Sequence, residues 1–411
     1  MVSTLVRSPS SHKKIEMAVP QGYRLGGVYC GIKRYDDKLD LSLLVSDRPA
    51  VAAGVYTTNL VFAAPVKWDR GLTPGTNLRG VVINSGNANA CTGARGDADC
   101  RHMAELAAAT CDAKAEQMLV LSTGIIGEFL PTAKIEKGIR DVTGKLGTDE
   151  ASLTTAARGM LTTDTRHKVA TRTINVAGTK VTITGMAKGA AMIGPKMATM
   201  LAVVMTDAAL EPADAQSLLA DVVDETFNCI SVDGHMSTND TVLLLANGAA
   251  SSSSLAGDDL SAFQAALFEV CQELAVAIPA DGEGATHLVQ VEVRGCRTHD
   301  EARSIAKSVS ESLLVKTAIC GADPNWGRIV SAAGYANIAF DPARVHLWVN
   351  NIHLYADGAP LEFDRKAASE SIKNNRDTHI LLTFGEGDES IHFWSTDLTA
   401  EYVRLNADYH T

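Results

Sequence analysis

The least regular stretch of this 411-residue chain runs from Lys188-Gly189 through Gly194-Pro195-Lys196-Met197-Ala198-Thr199 to Met200-Leu201. Its first part is rich in Gly, Pro and Met and has neither a helix nor a strand period. Its second part, residues 199–205, is an apolar, strand-like run. A hydroxyl residue therefore stands where an irregular loop turns into a buried strand. Two readings remain open on spacing alone. Thr199 is either a β-branched residue chosen for strand propensity or a nucleophile. A threonine hydroxyl is a poor nucleophile unless a base lies beside it, and an N-terminal threonine carries such a base in its own α-amine. The second reading requires cleavage of the Ala198–Thr199 bond.

Other stretches offer complementary chemistry. Ser122-Thr123-Gly124 follows an apolar run at residues 118–121. A Thr-Gly step at a strand end can present a hydroxyl and a backbone N–H together, as an oxyanion hole requires. It reads equally as a Gly turn. The small polar residues of 84–93 could cradle an anion through backbone donors, or form a loop with Asn in left-handed conformations. They match neither GxGxxG nor a phosphate-binding P-loop. Glu283, between Gly282 and Gly284, is a carboxylate on an adaptable turn that could pair with an amine, or a plain acidic turn. Residues 323–328, with Trp326, read as a structural anchor or a contact. The last residues, 405–411, are expected to form part of a site if they dock instead of fraying. His167, His235 and His287 stand alone, with no Ser/His/Asp or HExxH arrangement. The eight cysteines include no CxxC pair and no zinc-like spacing, so reduced, mostly buried thiols are expected.

The elements that must position these residues are mixed. Leu39, Leu41 and Leu43 alternate with polar residues as a strand, and residues 46–49 predict a turn before a second strand at 51–56. Residues 81–83 form a short buried strand that runs into the 84–93 loop. An Ala-rich helix is expected over 97–109, and a hairpin over 169–183. Helices are expected from Glu211-Pro212 and over 258–278, and one more is marked by Ile305, Val309 and Leu313. Strands are read at 289–293, 345–349, 352–355, 380–384 and 391–394. Residues 251–254, all serine, read as a surface loop. Without a βαβ rhythm, the pattern predicts layered mixed sheets with helices packed outside.

Composition excludes several classes. Hydrophobic residues make up 46% and charged residues 21%, so the chain is globular and not disordered. Lys+Arg of 37 against Asp+Glu of 48 gives a net charge of −11, which leaves no whole-chain basic footprint for nucleic acid. No apolar run is read as a membrane span. Residues 1–14 are basic and Ser-rich without an apolar core, so no secretory signal is read there and a cytoplasmic protein is expected.

Taken in order, these stretches resemble the ornithine acetyltransferase family from about Gly27 to Thr411. The resemblance is carried by residues 53–59, 84–93, Ser122-Thr123-Gly124, Leu161-Thr162-Thr163-Asp164-Thr165, Lys188-Gly189, Met197 to Leu201, and Ser237-Thr238-Asn239-Asp240. It continues through residues 282–286, 323–328 and 406–411. It implies an α/β fold of mixed sheets sandwiched by helices, in a self-cleaving N-terminal-nucleophile enzyme. Cleavage between Ala198 and Thr199 would give an α segment, 1–198, and a β segment, 199–411, which together form one active-site fold. Thr199 would then take the acetyl group of N2-acetylornithine and pass it to glutamate by ping-pong transfer in arginine biosynthesis. Thr123 and Gly124 would hold the oxyanion. Substrate contacts would fall on Thr162, Thr163, Lys188, Thr199, Glu283, Asn406 and Thr411. Lys188 suits an α-carboxylate and Glu283 a side-chain ammonium. The family implies no metal or organic cofactor and a heterotetramer of two α and two β segments.

The sequence departs from the family pattern at Lys196, usually Asn, at His235-Met236, usually Asp-Thr, and at His287, usually Lys. Acetyl-CoA stays open as a second acetyl donor. Two alternatives are kept. One is an N-terminal-threonine aminopeptidase or amidohydrolase with water as acceptor; the other is an uncleaved, non-catalytic relative.

Overall fold

The computed structural model describes residues 17–34, 38–176, 178–194, 200–251 and 253–408. Eight strands form the first sheet: β1 (Tyr23–Val28), β2 (Leu41–Tyr56), β3 (Gly75–Asn87), β4 (Met118–Ile125), β5 (Lys168–Val176), β6 (Thr179–Lys188), β7 (Leu201–Thr206) and β8 (Thr241–Ala246). Their order is β4-β3-β2-β8-β7-β6-β5, with β1 added to β2. The pairs β3/β4 and β7/β8 are parallel and the others antiparallel. The second sheet holds β9 (Leu288–Cys296), β10 (His346–Val349), β11 (Ile352–Ala356), β12 (Ala359–Pro360), β13 (Asp377–Thr383) and β14 (Glu389–Thr396). Its order is β12-β11-β10-β13-β9-β14, with only β13/β9 parallel. The mixed α/β class expected from the sequence is therefore observed.

Helices cover the first sheet on both faces. They are α1 (Ala64–Arg70), α2 (Gly93–Ala108), α3 (Thr132–Thr143), α4 (Glu150–Gly159), α5 (Pro212–Glu225) and α6 (Gly257–Ala277). Leu219, Val223, Phe263, Leu267 and Val270 of α5 and α6 pack with Ile183, Val204 and Leu244. On the opposite face Leu153 and Ala156 of α4 pack with Leu44, Val203 and Leu243. The central strands β7 and β8 are thus buried along both faces, which is why they are nearly continuous apolar runs and do not alternate. One face of the second sheet is packed by α7 (His299–Glu311), α8 (Leu313–Cys320), α9 (Trp326–Gly334) and α10 (Arg365–Lys373). Helix α11 (Ala400–Asp408) ends the described chain.

Several expectations change. Residues 46–49 are not a turn between two strands. They are a break in register inside one 16-residue strand, β2, which pairs with β3 before the break and again at Ala50 and Ala52, and with β8 from Val51 to Tyr56. Pro49 sits at that irregularity, where a missing N–H is tolerated. Residues 84–87 are the end of β3, not loop, and Ser122 to Ile125 continue β4. Side chains complete this polar strand end: Asn84 Nδ2 donates to the Asn87 carbonyl at 2.8 Å, and Ser122 Oγ to Asn84 Oδ1 at 2.6 Å. The helix marked by Ile305, Val309 and Leu313 is two helices. Ser312 breaks it, accepting from Val315 N as the cap of α8. The stretch containing α6, Gly257–Asp281, is long and apolar enough to span a membrane by composition, contrary to the sequence reading. It is instead a core helix whose Phe263, Leu267, Val270 and Leu274 are buried. All eight cysteines are free, and five are buried.

Phe263 of α6 is fully buried in the core cluster shared by α5, α6 and the first sheet. Phe263→Ala should cost about 3–5 kcal/mol, read as a lower midpoint in urea unfolding.

Candidate active site

The two parallel pairs align strand ends toward one place. Lys188, the last residue of β6, lies opposite Leu201, the first of β7, and Leu201 lies opposite Thr241, the first of β8. On the β3/β4 pair, Ser85 faces Thr123 and Gly86 faces Gly124. Gly124 has φ +134°, and a Cβ there would lie 2.3 Å from the Gly86 carbonyl carbon. Only glycine fits this conformation and this approach. Thr123 is buried, and the Lys188 amine reaches its hydroxyl at 3.4 Å.

Lys188 is itself buried. Burial pushes its pKa down, Asp164 opposes that, Lys168 adds to it, and Asp240 and Glu283 also favour the charged form. Asp164 is the carboxylate that acts most strongly on Lys188. Its Oδ1 accepts from Gly189 N and from Lys168 Nζ, both at 2.7 Å, and its Oδ2 accepts from Thr162 N at 3.1 Å. Burial would raise the Asp164 pKa, but Lys168 and Lys188 prevail and hold it down to about 2. Lys168 Nζ also meets Asp281 Oδ2 at 2.7 Å, so one buried ammonium bridges two buried carboxylates. Asp281 in turn accepts from Thr165 N at 3.1 Å.

The acidic side of the site comes from the turn after α6. Glu283 N donates to the Ala190 carbonyl at 2.9 Å, which seats Glu283 two residues beyond Lys188's strand end. Asn406 of α11 is exposed, yet its amide donates to Glu283 Oε2 at 2.9 Å. The structure thus brings together Thr123, Gly124, the Thr162–Thr163 bend, Lys188, Glu283 and Asn406 through one connected set of contacts. Ala198, Thr199, Thr411 and the divergent Lys196 lie outside the described residues. Met200, the residue after Thr199, donates its N–H to Asp240 Oδ1 at 3.1 Å. Asp240 is buried, and that burial raises its pKa well above the usual carboxylate range.

Other candidates fall elsewhere. Trp326 stacks on Tyr355 at 5.5 Å and Asn325 caps α9, so residues 323–328 anchor the second sheet's core. His287 is satisfied by Asp397 Oδ2 at 3.0 Å and the Ile372 carbonyl at 3.2 Å. His235 is exposed. Among the described residues no group of three or more His, Cys, Asp or Glu side chains could hold a metal ion. Asp164, Lys168, Asp240 and Asp281 were missed as site residues by sequence reasoning. The available signal was a lone charge directly beside an apolar strand or helix, at Asp240 before β8 and at Asp281 after α6.

Lys168→Met would leave Asp164 and Asp281 buried without their shared cation, so stability should fall by about 3–5 kcal/mol in urea titrations at pH 7. In the wild type the pH dependence has a defined sign. Asp164 has a folded pKa of about 2, below its unfolded value of about 3.9. Its contribution is complete above the unfolded value and is lost as pH falls through the folded one.

Comparison with known proteins identifies the family of the chain. Residues 24–411 match the model of the ArgJ family. The arginine biosynthesis bifunctional protein ArgJ of Rhodopirellula baltica is 45% identical over 407 residues, 98% of this chain and 99% of that protein. Its counterpart in Symbiobacterium thermophilum is 43% identical over 400 residues, 96% of this chain and 98% of that protein. A solved structure of the Mycobacterium tuberculosis ornithine acetyltransferase, complexed with ornithine, is 36% identical over 43% of this chain and 94% of that chain, with a TM-score of 0.39. The chain belongs to the ArgJ family.

Proposed function

We propose that the chain moves the acetyl group of N2-acetylornithine to glutamate through an ester on Thr199. Membership of the ArgJ family makes it an acyltransferase of arginine biosynthesis that acts on small molecules. The donor, the acceptor and the intermediate are the proposal. The observation that supports it best is the pairing of one buried cation, Lys188, with one carboxylate, Glu283, on either side of Gly189-Ala190 and beside the Thr123–Gly124 step. A substrate with a carboxylate at one end and an ammonium at the other is complementary to that pair.

The chemistry begins with the chain itself. Thr199 Oγ attacks the Ala198 carbonyl carbon, the Ala198–Thr199 C–N bond breaks, and the hydroxyl proton ends on the released nitrogen. Water then hydrolyses the ester, leaving a carboxylate on Ala198 and a free amine on Thr199. In turnover this amine takes the Thr199 hydroxyl proton as the oxygen attacks the acetyl carbonyl. Thr123 Oγ1–H and Gly124 N–H donate to the tetrahedral oxyanion. The proton passes to ornithine's α-nitrogen as its bond to the acetyl carbon breaks, and glutamate's α-amine then reverses the sequence. A substrate carboxylate beside Lys188 would favour the charged amine that burial disfavours. Thr162, Thr163, Asn406 and Thr411 complete the substrate contacts. Every step uses residues of the chain, so the scheme calls for no metal or organic cofactor. Acetyl-CoA as an alternative donor, the heterotetramer of two α and two β segments, and a cytoplasmic location belong to the same proposal.

Mass spectrometry before and after incubation with N2-acetylornithine tests it. The expected result is two segments divided at Ala198–Thr199, the second gaining one acetyl group. Thr199→Ala should remain a single 43.5 kDa chain without transfer activity. Thr123→Ala should lower kcat by about 10²–10³-fold. An uncut chain that transfers acetyl groups at full rate would overturn the mechanism. Ornithine release that is independent of glutamate would favour hydrolysis instead.

A further inference from the structure

Two aspartates of one short segment grip the chain on either side of residues 195–199. On the upstream side, the Asp233 carboxylate accepts from Met192 N at 2.6 Å and from Ile193 N at 2.9 Å. The Ile193 carbonyl accepts in return from Val232 N at 2.8 Å, Gly234 N at 3.1 Å and Asp233 N at 3.2 Å. Met192 has φ +56°, a left-handed conformation that an unbranched non-glycine residue rarely adopts without being held. Gly194 lies so close that a Cβ on it would be 2.5 Å from the Gly234 carbonyl carbon. On the downstream side, Asp240 Oδ1 accepts from Met200 N, and the Met200 carbonyl accepts from Thr241 N, both at 3.1 Å.

The segment between the two aspartates is itself fixed. Thr57 Oγ1 donates to the Ser237 carbonyl and Ala63 N to the Thr238 carbonyl, both at 2.8 Å. Asn239 Nδ2 donates to the Ser122 carbonyl at 2.8 Å, next to Thr123. One piece of backbone therefore holds both flanks of the scissile bond and the strand that carries the oxyanion residues.

We propose that residues 232–240 are a splint for self-cleavage and that Asp233 is its positioning residue. The inference rests on the reading that the chain cuts itself at Ala198–Thr199. In that step the Thr199 oxygen displaces its own nitrogen from the Ala198 carbonyl carbon, so the rate depends on how often the oxygen lies within attack distance. Asp233 fixes Met192-Ile193 before the scissile bond and Asp240 fixes Met200 after it, so both points from which that bond must be presented are set by one segment. Among the described residues the Asp233 carboxylate bonds only to Met192 N, Ile193 N, His235 N and Tyr402 Oη, none of them assigned to acetyl transfer, so its contribution is assigned to cutting and not to turnover.

The test follows the full chain after a pulse of synthesis in a cell-free extract. Mass spectrometry reads the loss of the 43.5 kDa species with time, and acetyl transfer is then measured per cut chain. Asp233→Asn keeps the shape and one acceptor oxygen but replaces the other with a donor. It should cut about 10- to 100-fold more slowly, the range expected for losing a hydrogen bond to a charged group. Its kcat per cut chain should stay within about twofold of wild type. Tyr402→Phe removes only the bond from Tyr402 Oη to the same carboxylate, 3.0 Å long, and should cut at the wild-type rate. Cutting by Asp233→Asn at the wild-type rate overturns the splint. An equal fall in cutting and in kcat per cut chain also overturns it, because that is the mark of a general structural role. A wild-type chain that never cuts overturns the splint together with the cleavage reading, whereas a wild type that cuts isolates any failure to the splint. Should Asp233→Asn prove insoluble, Gly194→Ala disturbs the same contact from the other side and is judged by the same two measurements.

Discussion

A lysine buried at the end of a strand is the constraint on which the site depends. Removing an ammonium from water costs several kcal/mol unless opposite charge and hydrogen bonds accompany it. Groups brought from four directions offset part of that cost for Lys188, although burial still holds its pKa below the usual value: Asp164 from the bend after α4, Asp240 from the turn before β8, Glu283 from the turn after α6, and Thr123 from β4. No two of these residues are neighbours in sequence. Their assembly requires β4, β6 and β8 to end or begin at the same level, and the two parallel pairs in the first sheet supply that alignment. The Asp164–Lys168–Asp281 bridge belongs to the same constraint. It fixes Asp164 so that one of its oxygens remains aimed at Gly189 N, the amide directly after Lys188.

This arrangement explains why the site combines rigidity with polarity. Asn84, Ser122 and Asn239 are buried polar side chains, each with hydrogen-bond partners on neighbouring strands or turns. Apolar packing alone would hold β3 and β4 together but would not set their last two residues in register. The polar side chains do so by closing the ladder where it runs out. Gly124 completes the approach because any side chain there would collide with the Gly86–Asn87 backbone.

Much of this was legible in the sequence where periodicity carried it. The hairpin of β5 and β6, the helices α5 and α6, and the strands β9, β10, β11, β13 and β14 of the second sheet follow from alternation or from 3.6-residue spacing. Thr123, Gly124, Lys188, Glu283 and Asn406 were named from motif chemistry and resemblance, and the fold gathers them. What failed to show has a common physical origin. The extension of β3 through Asn87 and of β4 through Ile125 is held by side-chain hydrogen bonds between distant segments, and neither composition nor period reports such bonds. The continuity of β2 past Pro49 depends on a shift of register against β3, which resumes at Ala50, and on β8 joining from Val51, and only the sheet reveals these. Asp164 and Asp281 carry no signal of their pairing in the sequence because Lys168, which makes them a buried cluster, lies 113 residues before the second of them.

A cut at Ala198–Thr199 would divide the chain without dividing the fold. Strands β7 and β8 follow the cut in sequence, yet in space they lie between β2 and β6, which precede it. Two antiparallel ladders, β2 with β8 and β6 with β7, would bind the segments edge to edge. The packing of α5 and α6 against Ile183 and Val181 would add an apolar face to that join. The second sheet would lie wholly after the cut, so the later segment would carry Glu283 and Asn406 beside a framework of its own and would be tied to the earlier one by two lent strands and by contacts such as Glu283 with Ala190, Asp281 with Lys168 and Asn239 with Ser122. Separation of the segments would expose four strand edges, those of β2, β8, β7 and β6, and a large apolar surface, which is unfavourable in water. The same interlock that places Lys188 opposite Leu201 is therefore what would keep the segments together after cleavage, because both depend on the β6/β7 register.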